Sequence, residues 1–189
     1  MPKFKTHPQI PTLTTPRLTL RAPKPEDAYE RHRLGRNPEI ILMFGYEAGN
    51  LGEYEIEAAQ NWIESLSQHP CAWVIEHDEK FIGALRFDEI DSHDRRARLA
   101  TGIYAADKLG QGFGREAIKA ALQHAFTAMN LHRISLRVID YNERAIRCYK
   151  SVGFVEEGRE RETAFIQGRW RDDLIMGLLD REFLSEENT

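Results

Sequence analysis

Short stretches of strict apolar–polar alternation separate longer stretches in which apolar residues recur every three or four positions, so strands and amphipathic helices are both written into this chain. Residues 17–21, Arg-Leu-Thr-Leu-Arg, alternate and predict a strand with Leu18 and Leu20 on one face. Pro23 and Pro25 break it, and Glu26 and Asp27 place acids at the start of a helix expected to reach about Leu34. Asn37-Pro38 opens a second short helix, Glu39 to Phe44. Residues 44–52, FGYEAGNLG, read as a loop with the aromatic content of a substrate-lining segment. Ile56, Ala59, Trp62, Ile63 and Leu66 then recur at helical spacing, which predicts an amphipathic helix over 53–67.

Pro70 separates that helix from a strand at Cys71 to Glu76, and the turn His77 to Lys80 leads into a second strand, Phe81 to Ile90. Asp91 to Asp94 turns the chain again into a third strand, Arg98 to Tyr104. Residues 114–129 predict the longest helix, Ile134 to Ile139 a buried strand rich in branched residues, and Glu143 to about Ser151 a further helix. Two last strands, Phe154 to Ile166 and Arg169 to Leu179, flank a Gln167-Gly168 turn. This order is that of a mixed α/β layer structure with a central sheet. We expect one domain over residues 15–183, an extended arm over 1–14 and a tail over 184–189.

Composition narrows the class. With 189 residues, 41% of them hydrophobic and 30% charged, the chain can bury a substantial core and has no apolar run near the length of a membrane span. Its start, MPKFKTHPQIPTLTTP, lacks the continuous apolar segment of a signal peptide. Cys71 and Cys148 are the two cysteines, too few and too far apart for a disulfide scaffold or structural zinc site. A reduced, cytoplasmic setting is the expectation. The net charge of −4 argues against a nucleic-acid partner, and the chain's features give no membrane partner. The seven histidines have no HxH or HExxH spacing, so no metal is expected.

The stretch Leu109-Gly-Gln-Gly-Phe-Gly114 sits between the third strand and the longest helix. Glycines let a backbone approach a ligand closely, and a helix start directs free N–H groups and a positive dipole end at the preceding loop. A phosphate-binding loop and a tight turn into a helix both fit. A dinucleotide fingerprint fails when counted from Gly110, because Arg115 stands at its last glycine, but passes from Gly112, where Ala117 is acceptable. That fingerprint belongs on the first strand of a βαβ unit, however, whereas this loop follows a meander. No Gly-Lys-Ser/Thr follows, which excludes a Walker loop.

One strand later comes Asn142-Glu-Arg-Ala145-Ile-Arg-Cys-Tyr149-Lys-Ser-Val-Gly153-Phe154. Here the sequence resembles the GNAT (GCN5-related) N-acetyltransferases. Their loop pattern Gln/Arg-x-x-Gly-x-Gly/Ala is matched by residues 109–114 except at its first position, and their N-x-x-A-x-x-x-Y-x-x-x-G-F pattern throughout. Thr15-Pro-Arg-Leu-Thr-Leu-Arg21, followed by Asp27-Ala28, looks like the RimJ/RimL-like branch that acetylates ribosomal-protein N-termini. The resemblance runs from about residue 15 to 180.

The resemblance implies a mostly antiparallel twisted sheet of six to seven strands, splayed between the fourth and fifth and flanked by about four helices. It implies acetyl-CoA as donor, with the N–H groups from Gly110, Gln111, Gly112, Phe113, Gly114 and Arg115 on its pyrophosphate. Ile103 and Tyr104 would run beside the pantetheine arm, and Leu109, Arg144 and Ala145 are further positions expected to bind the donor. Asn142 would hydrogen-bond the pantetheine; as a residue it equally reads as the cap of the helix at Glu143. Tyr149 would be the general acid for the departing thiolate, and without the resemblance would read as a packed core aromatic. A homodimer is a common expectation for the family.

The base and the acceptor site are less constrained. Arg98-Leu-Ala-Thr101 lacks the acid that many relatives carry on that strand. Glu89 is the candidate, because it shares a strand face with Leu85 and Phe87 and would point inward. Asp88 and Asp91 are its neighbours, and Tyr46, Glu47 and Trp170 are candidates for contacting substrate. Deprotonation through water is the alternative to a single base. The expected acceptor is a primary amine, either a protein N-terminus or a small cationic amine such as a polyamine or aminoglycoside. A non-catalytic acyl-CoA-binding module and a nucleotide-binding regulatory domain are the competing classes.

Overall fold

The computed structural model describes residues 10–47, 49 and 52–186. The N-terminal half builds β1 (Leu13–Thr14), β2 (Thr19–Arg21), α1 (Asp27–Leu34), α2 (Pro38–Met43), α3 (Ile56–Ser67), β3 (Ala72–His77) and β4 (Lys80–Asp91). The remainder builds β5 (Arg96–Ile103), a 3₁₀ turn (Ala106–Lys108), α4 (Phe113–Thr127), β6 (Arg133–Ile139), α5 (Glu143–Lys150), β7 (Val155–Ile166), β8 (Arg169–Leu179) and α6 (Asp180–Glu186).

The strands form one sheet in the order β1-β2-β3-β4-β5-β6-β8-β7, antiparallel except between β5 and β6. Eight strands replace the expected six to seven, since Leu13–Thr14 extends the edge, and six α-helices replace the expected four among the described residues. Residues 1–9 of the expected arm and 187–189 of the expected tail lie outside the described residues, as do Ala48, Asn50 and Leu51 of the 44–52 loop. Helix α6 was not legible because it follows β8 with no turn-forming residue between them.

Both sheet faces are covered. On one, Phe113, Ala117, Ile118, Ala121, Leu122 and Ala125 of α4 pack on Ile75, Leu85, Leu99, Leu136 and Val138. On the other, Ile63 and Leu66 of α3 and Ala28 of α1 pack on Val74, Phe81 and Ala84. Each large apolar side chain so removed from water contributes about 1.5–3 kcal/mol. The N-terminal motif has a structural explanation. Arg21 forks onto the Asp27 carboxylate at 2.8 and 2.6 Å and reaches Glu76 at 2.6 Å, tying the start of α1 to β2 and β3. Asp27 is buried, and this pairing is what makes a charge there tolerable.

The functional consequence lies between β5 and β6. They pair only over Arg96–Arg98 and Arg133–Ser135. Beyond that rung, Leu99–Ile103 stays with β4 while Leu136–Ile139 stays with β8. The two parallel strands therefore open into a V at their C-terminal ends, as the resemblance implied.

Candidate active site

Helix α4 begins directly beyond the open end of β5. Gly110 and Gly112 adopt φ values of +74° and +83°, a region that side-chain-bearing residues avoid, so both turns depend on glycine. Gly112 is the N-cap, no side chain caps the helix, and its first backbone bond runs from Glu116 N–H to the Gly112 carbonyl at 3.0 Å. The N–H groups of Phe113, Gly114 and Arg115 thus project from the helix start, where an anionic ligand is favoured. The Leu109 N–H, in contrast, is taken by the Ala106 carbonyl at 3.3 Å, and the Phe113 ring is buried in the core.

The loop is held by a residue to which the sequence reading assigned no role. Arg17 Nη1 donates to the Gln111 carbonyl at 3.0 Å, its Nε meets Glu116 at 2.6 Å, and its guanidinium lies 4.5 Å from the Phe113 ring centroid. Thr15 Oγ1 adds 2.6 Å to the other Glu116 oxygen. Burial would raise the Glu116 carboxyl, but the Thr15 and Arg17 hydrogen bonds outweigh it and hold it below its ordinary value. A contact 99 residues apart leaves no periodic trace in sequence.

Along the V, Tyr104 N–H donates to the Ile82 carbonyl at 2.7 Å, so its amide is committed to β4. Strand alternation then turns the main-chain groups of Ile103 and Thr101 toward the splay. Of the two residues expected beside the pantetheine, Ile103 directs its main-chain groups into the splay. The Tyr104 amide faces the other way and its ring stacks on Phe81 at 6.1 Å on the α3 face. Asn142 accepts from Ala145 N–H at 3.1 Å, capping α5, and donates to the Met43 carbonyl at 2.9 Å. Tyr141 Oη donates to the Leu42 carbonyl beside it. These neighbours clamp the last turn of α2 across the mouth of the V. Arg144, expected near the donor, instead pairs with Glu39 at 2.9 Å and joins α5 to α2.

Tyr149 is half-buried on α5, edge-on to Phe154 at 5.9 Å, and its hydroxyl has no protein partner among the described residues. Burial, with the adjacent Cys148 thiol adding to it, pushes the phenol well above its ordinary value. It therefore holds its proton at neutral pH, as an acid must. Burial also raises the Cys148 thiol, which argues against an activated thiolate.

The expected base does not sit in this site. The β4–β5 register shifts between Asp88 and Asp91, and Glu89 at φ +51° is rotated out of the strand pattern. Its carboxylate faces solvent and meets Arg98 at 2.9 Å, at the closed end of the V. Asp88 is likewise held by His69 and Arg86, and Asp91 accepts the His93 and Asp94 N–H groups in its turn. A bulge between Asp88 and Asp91 breaks the strand alternation that would have turned Glu89 inward. The acceptor-side candidates fare differently. A methyl group built at Gly45 would lie 3.6 Å from Ile139 and 3.8 Å from Ile166, Glu47 accepts from Gln167 N–H at 2.7 Å, and Trp170 packs on Phe165 at 5.1 Å in the same hairpin. Tyr46 and Trp170 are exposed beside this junction. Asp173, which the sequence reading passed over, pairs with Ile139 on β6, and burial raises its carboxyl.

Among the described residues no group of three His, Cys, Asp or Glu could hold a metal, and no helix is long and apolar enough to cross a membrane. Residues 17–155 match the family description "Acetyltransferase (GNAT) domain". The spermidine N(1)-acetyltransferase of Vibrio cholerae is 35% identical over 89% of this chain and 96% of its own length. That of Escherichia coli K12 is 29% identical over 91% of each. The crystal structure of the Vibrio cholerae enzyme in complex with CoA and spermine superposes with a TM-score of 0.75, at 32% identity, over 90% of this chain and 99% of that one. The relatives named here are spermidine acetyltransferases, so they do not single out the ribosomal-protein branch.

Proposed function

The chain belongs to the GNAT acetyltransferase family and is an acetyl-CoA-dependent acyltransferase acting on amines, and from that premise we propose direct acetyl transfer to a primary amine in a ternary complex with Tyr149 as the acid. The observation that carries this reading is the convergence of two features on one point: the open end of the β5–β6 splay and the uncapped start of α4. The N–H groups of Phe113, Gly114 and Arg115 hold the donor's pyrophosphate, and Ile103 and Thr101 offer main-chain partners to the arm. The thioester then lies between the strand ends.

The ammonium first loses a proton to water. The freed amine nitrogen then attacks the thioester carbonyl carbon, a carbon–nitrogen bond forms as the carbon–sulfur bond breaks, and the departing sulfur takes the Tyr149 proton. The second proton lost from nitrogen returns to Tyr149 through water. With Glu89 at the far end of the sheet, no carboxylate is assigned as base. The family resemblance also supports a protein N-terminus as acceptor. A polyamine is the second reading, supported by the relatives' activity. Thiol release from acetyl-CoA across peptides, polyamines and aminoglycosides tests the proposal. Release with at least one amine, with acetylated product of matching mass, is expected; CoA binding without release on the whole panel favours a non-catalytic acyl-CoA-binding module.

A further inference from the structure

Among the described residues, Arg31 is a partly buried cation held by aromatic rings and a carbonyl with no carboxylate against it. The Arg31 guanidinium lies 4.6 Å from the Tyr54 ring centroid, 4.8 Å from Tyr104 and 5.8 Å from Trp62. Its Nη1 donates to the Gly35 carbonyl at 2.7 Å. Among the described residues no carboxylate acts on it; the charged neighbour is Arg36, which lies 4.9 Å from the same Tyr54 ring. Arg21 shows the usual solution for a buried guanidinium, with Asp27 and Glu76 both within 2.6 Å. Arg31 has rings and one carbonyl instead, and burial lowers it from its ordinary value, the sign of a charge under-compensated by its surroundings.

Its position matters. Arg31 and Arg36 line a cleft with Asn37, Ile40, Phe44 and Tyr104, and none of these supplies a negative charge. Phe44 rests on Gly102, on the open arm of β5, so the cleft adjoins the V on the acceptor side. In the proposed ternary complex this cleft is where the far end of the acceptor amine is laid. A guanidinium fork recognises a carboxylate with two parallel hydrogen bonds, whereas a second ammonium in this cleft would be repelled.

We propose that Arg31 is a specificity-determining residue that binds a carboxylate of the acceptor, so the preferred substrate is a primary amine bearing a carboxylate rather than a polyamine. The proposal rests on the amine-acetyltransferase reading and departs from the polyamine one.

The test uses acceptors of equal chain length, δ-aminovalerate against cadaverine, together with amino acids against their amides and spermidine as reference. Wild-type kcat/KM should favour the carboxylate member of a pair by roughly tenfold or more, the worth of a charge-assisted hydrogen bond. Arg31→Met should bring that ratio close to unity through KM, and Arg31→Lys should retain part of it. A merely structural Arg31 would change melting temperature without changing the ratio. Equal use of both members, preference for cadaverine or spermidine, or an unchanged ratio in Arg31→Met would overturn the proposal. Calorimetric titration of both probes into CoA-saturated wild-type protein reads the same preference without turnover. Carboxylate-selective binding with no thiol release would support the site while sinking acetyl transfer, and equal binding would sink the site.

Discussion

A methyl group built at Gly102 would lie 2.2 Å from Cζ of Phe44, so the Phe44 ring occupies the side-chain space of Gly102. The first residue of the 44–52 loop is thereby seated on the open arm of β5. The same ring lies 5.8 Å from Tyr104, which makes it the joint between the splay and the cleft around Arg31. Gly102→Ala should displace the ring. Because Phe44 is partly exposed and free to swing, the loss of stability should be modest, about 1–2 kcal/mol by urea denaturation. The acceptor KM should rise severalfold while the acetyl-CoA KM holds. An unchanged acceptor KM would detach Phe44 from the acceptor site.

Asn142 performs two separable tasks, capping α5 and strapping α2. Asn142→Ala loses both and should cost about 2–3 kcal/mol, combining a lost cap with an unmatched Met43 carbonyl. Asn142→Asp keeps the oxygen that caps Ala145 N–H and loses the donor to Met43. Its melting temperature should fall between those of wild type and Asn142→Ala, by roughly 2–4 °C per kcal/mol for a chain of this size. Equal losses in the two variants would mean that the strap alone matters.

Glu116 ties the glycine loop to the chain's start, and its carboxyl is held below the ordinary value in the fold. A depressed carboxyl contributes stability that is full above its unfolded value, about 4.3, and is lost as pH falls through the lower folded value. Wild-type stability should therefore drop below about pH 4.3 more steeply than that of Glu116→Gln, which has no such proton to take up. Parallel acid limbs for the two proteins would remove Glu116 as the loop's anchor.

Much of this could be read from local pattern. The helices with a cap or acid at their start, Asp27–Leu34 and Glu143–Lys150, fall where the sequence put them, and so do the strands bounded by turns. The donor side was legible because its residues are contiguous: a loop, then a helix start. The acceptor side was not. Glu89 was misplaced because a bulge interrupts the alternation that was extended through it. Arg17 and Arg31 act across 99 residues on Glu116 and 73 on Tyr104, distances at which neither period nor spacing carries information. Tyr104 looked like a pantetheine partner until the hydrogen bond to Ile82 fixed which way its amide points.

The central claim is that Tyr149 delivers a proton to the departing thiolate. Its raised phenol means that kcat should show no loss from tyrosine ionisation up to at least about pH 10. Tyr149→Phe removes the hydroxyl, which has no protein partner among the described residues, and keeps the ring packed on Phe154. Single-turnover thiol release by Tyr149→Phe, with acetyl-CoA affinity measured alongside, is the most direct test. A fall in rate of roughly 10²–10⁴ with acetyl-CoA affinity within a few fold of wild type is the predicted result. A rate equal to that of wild type would contradict it.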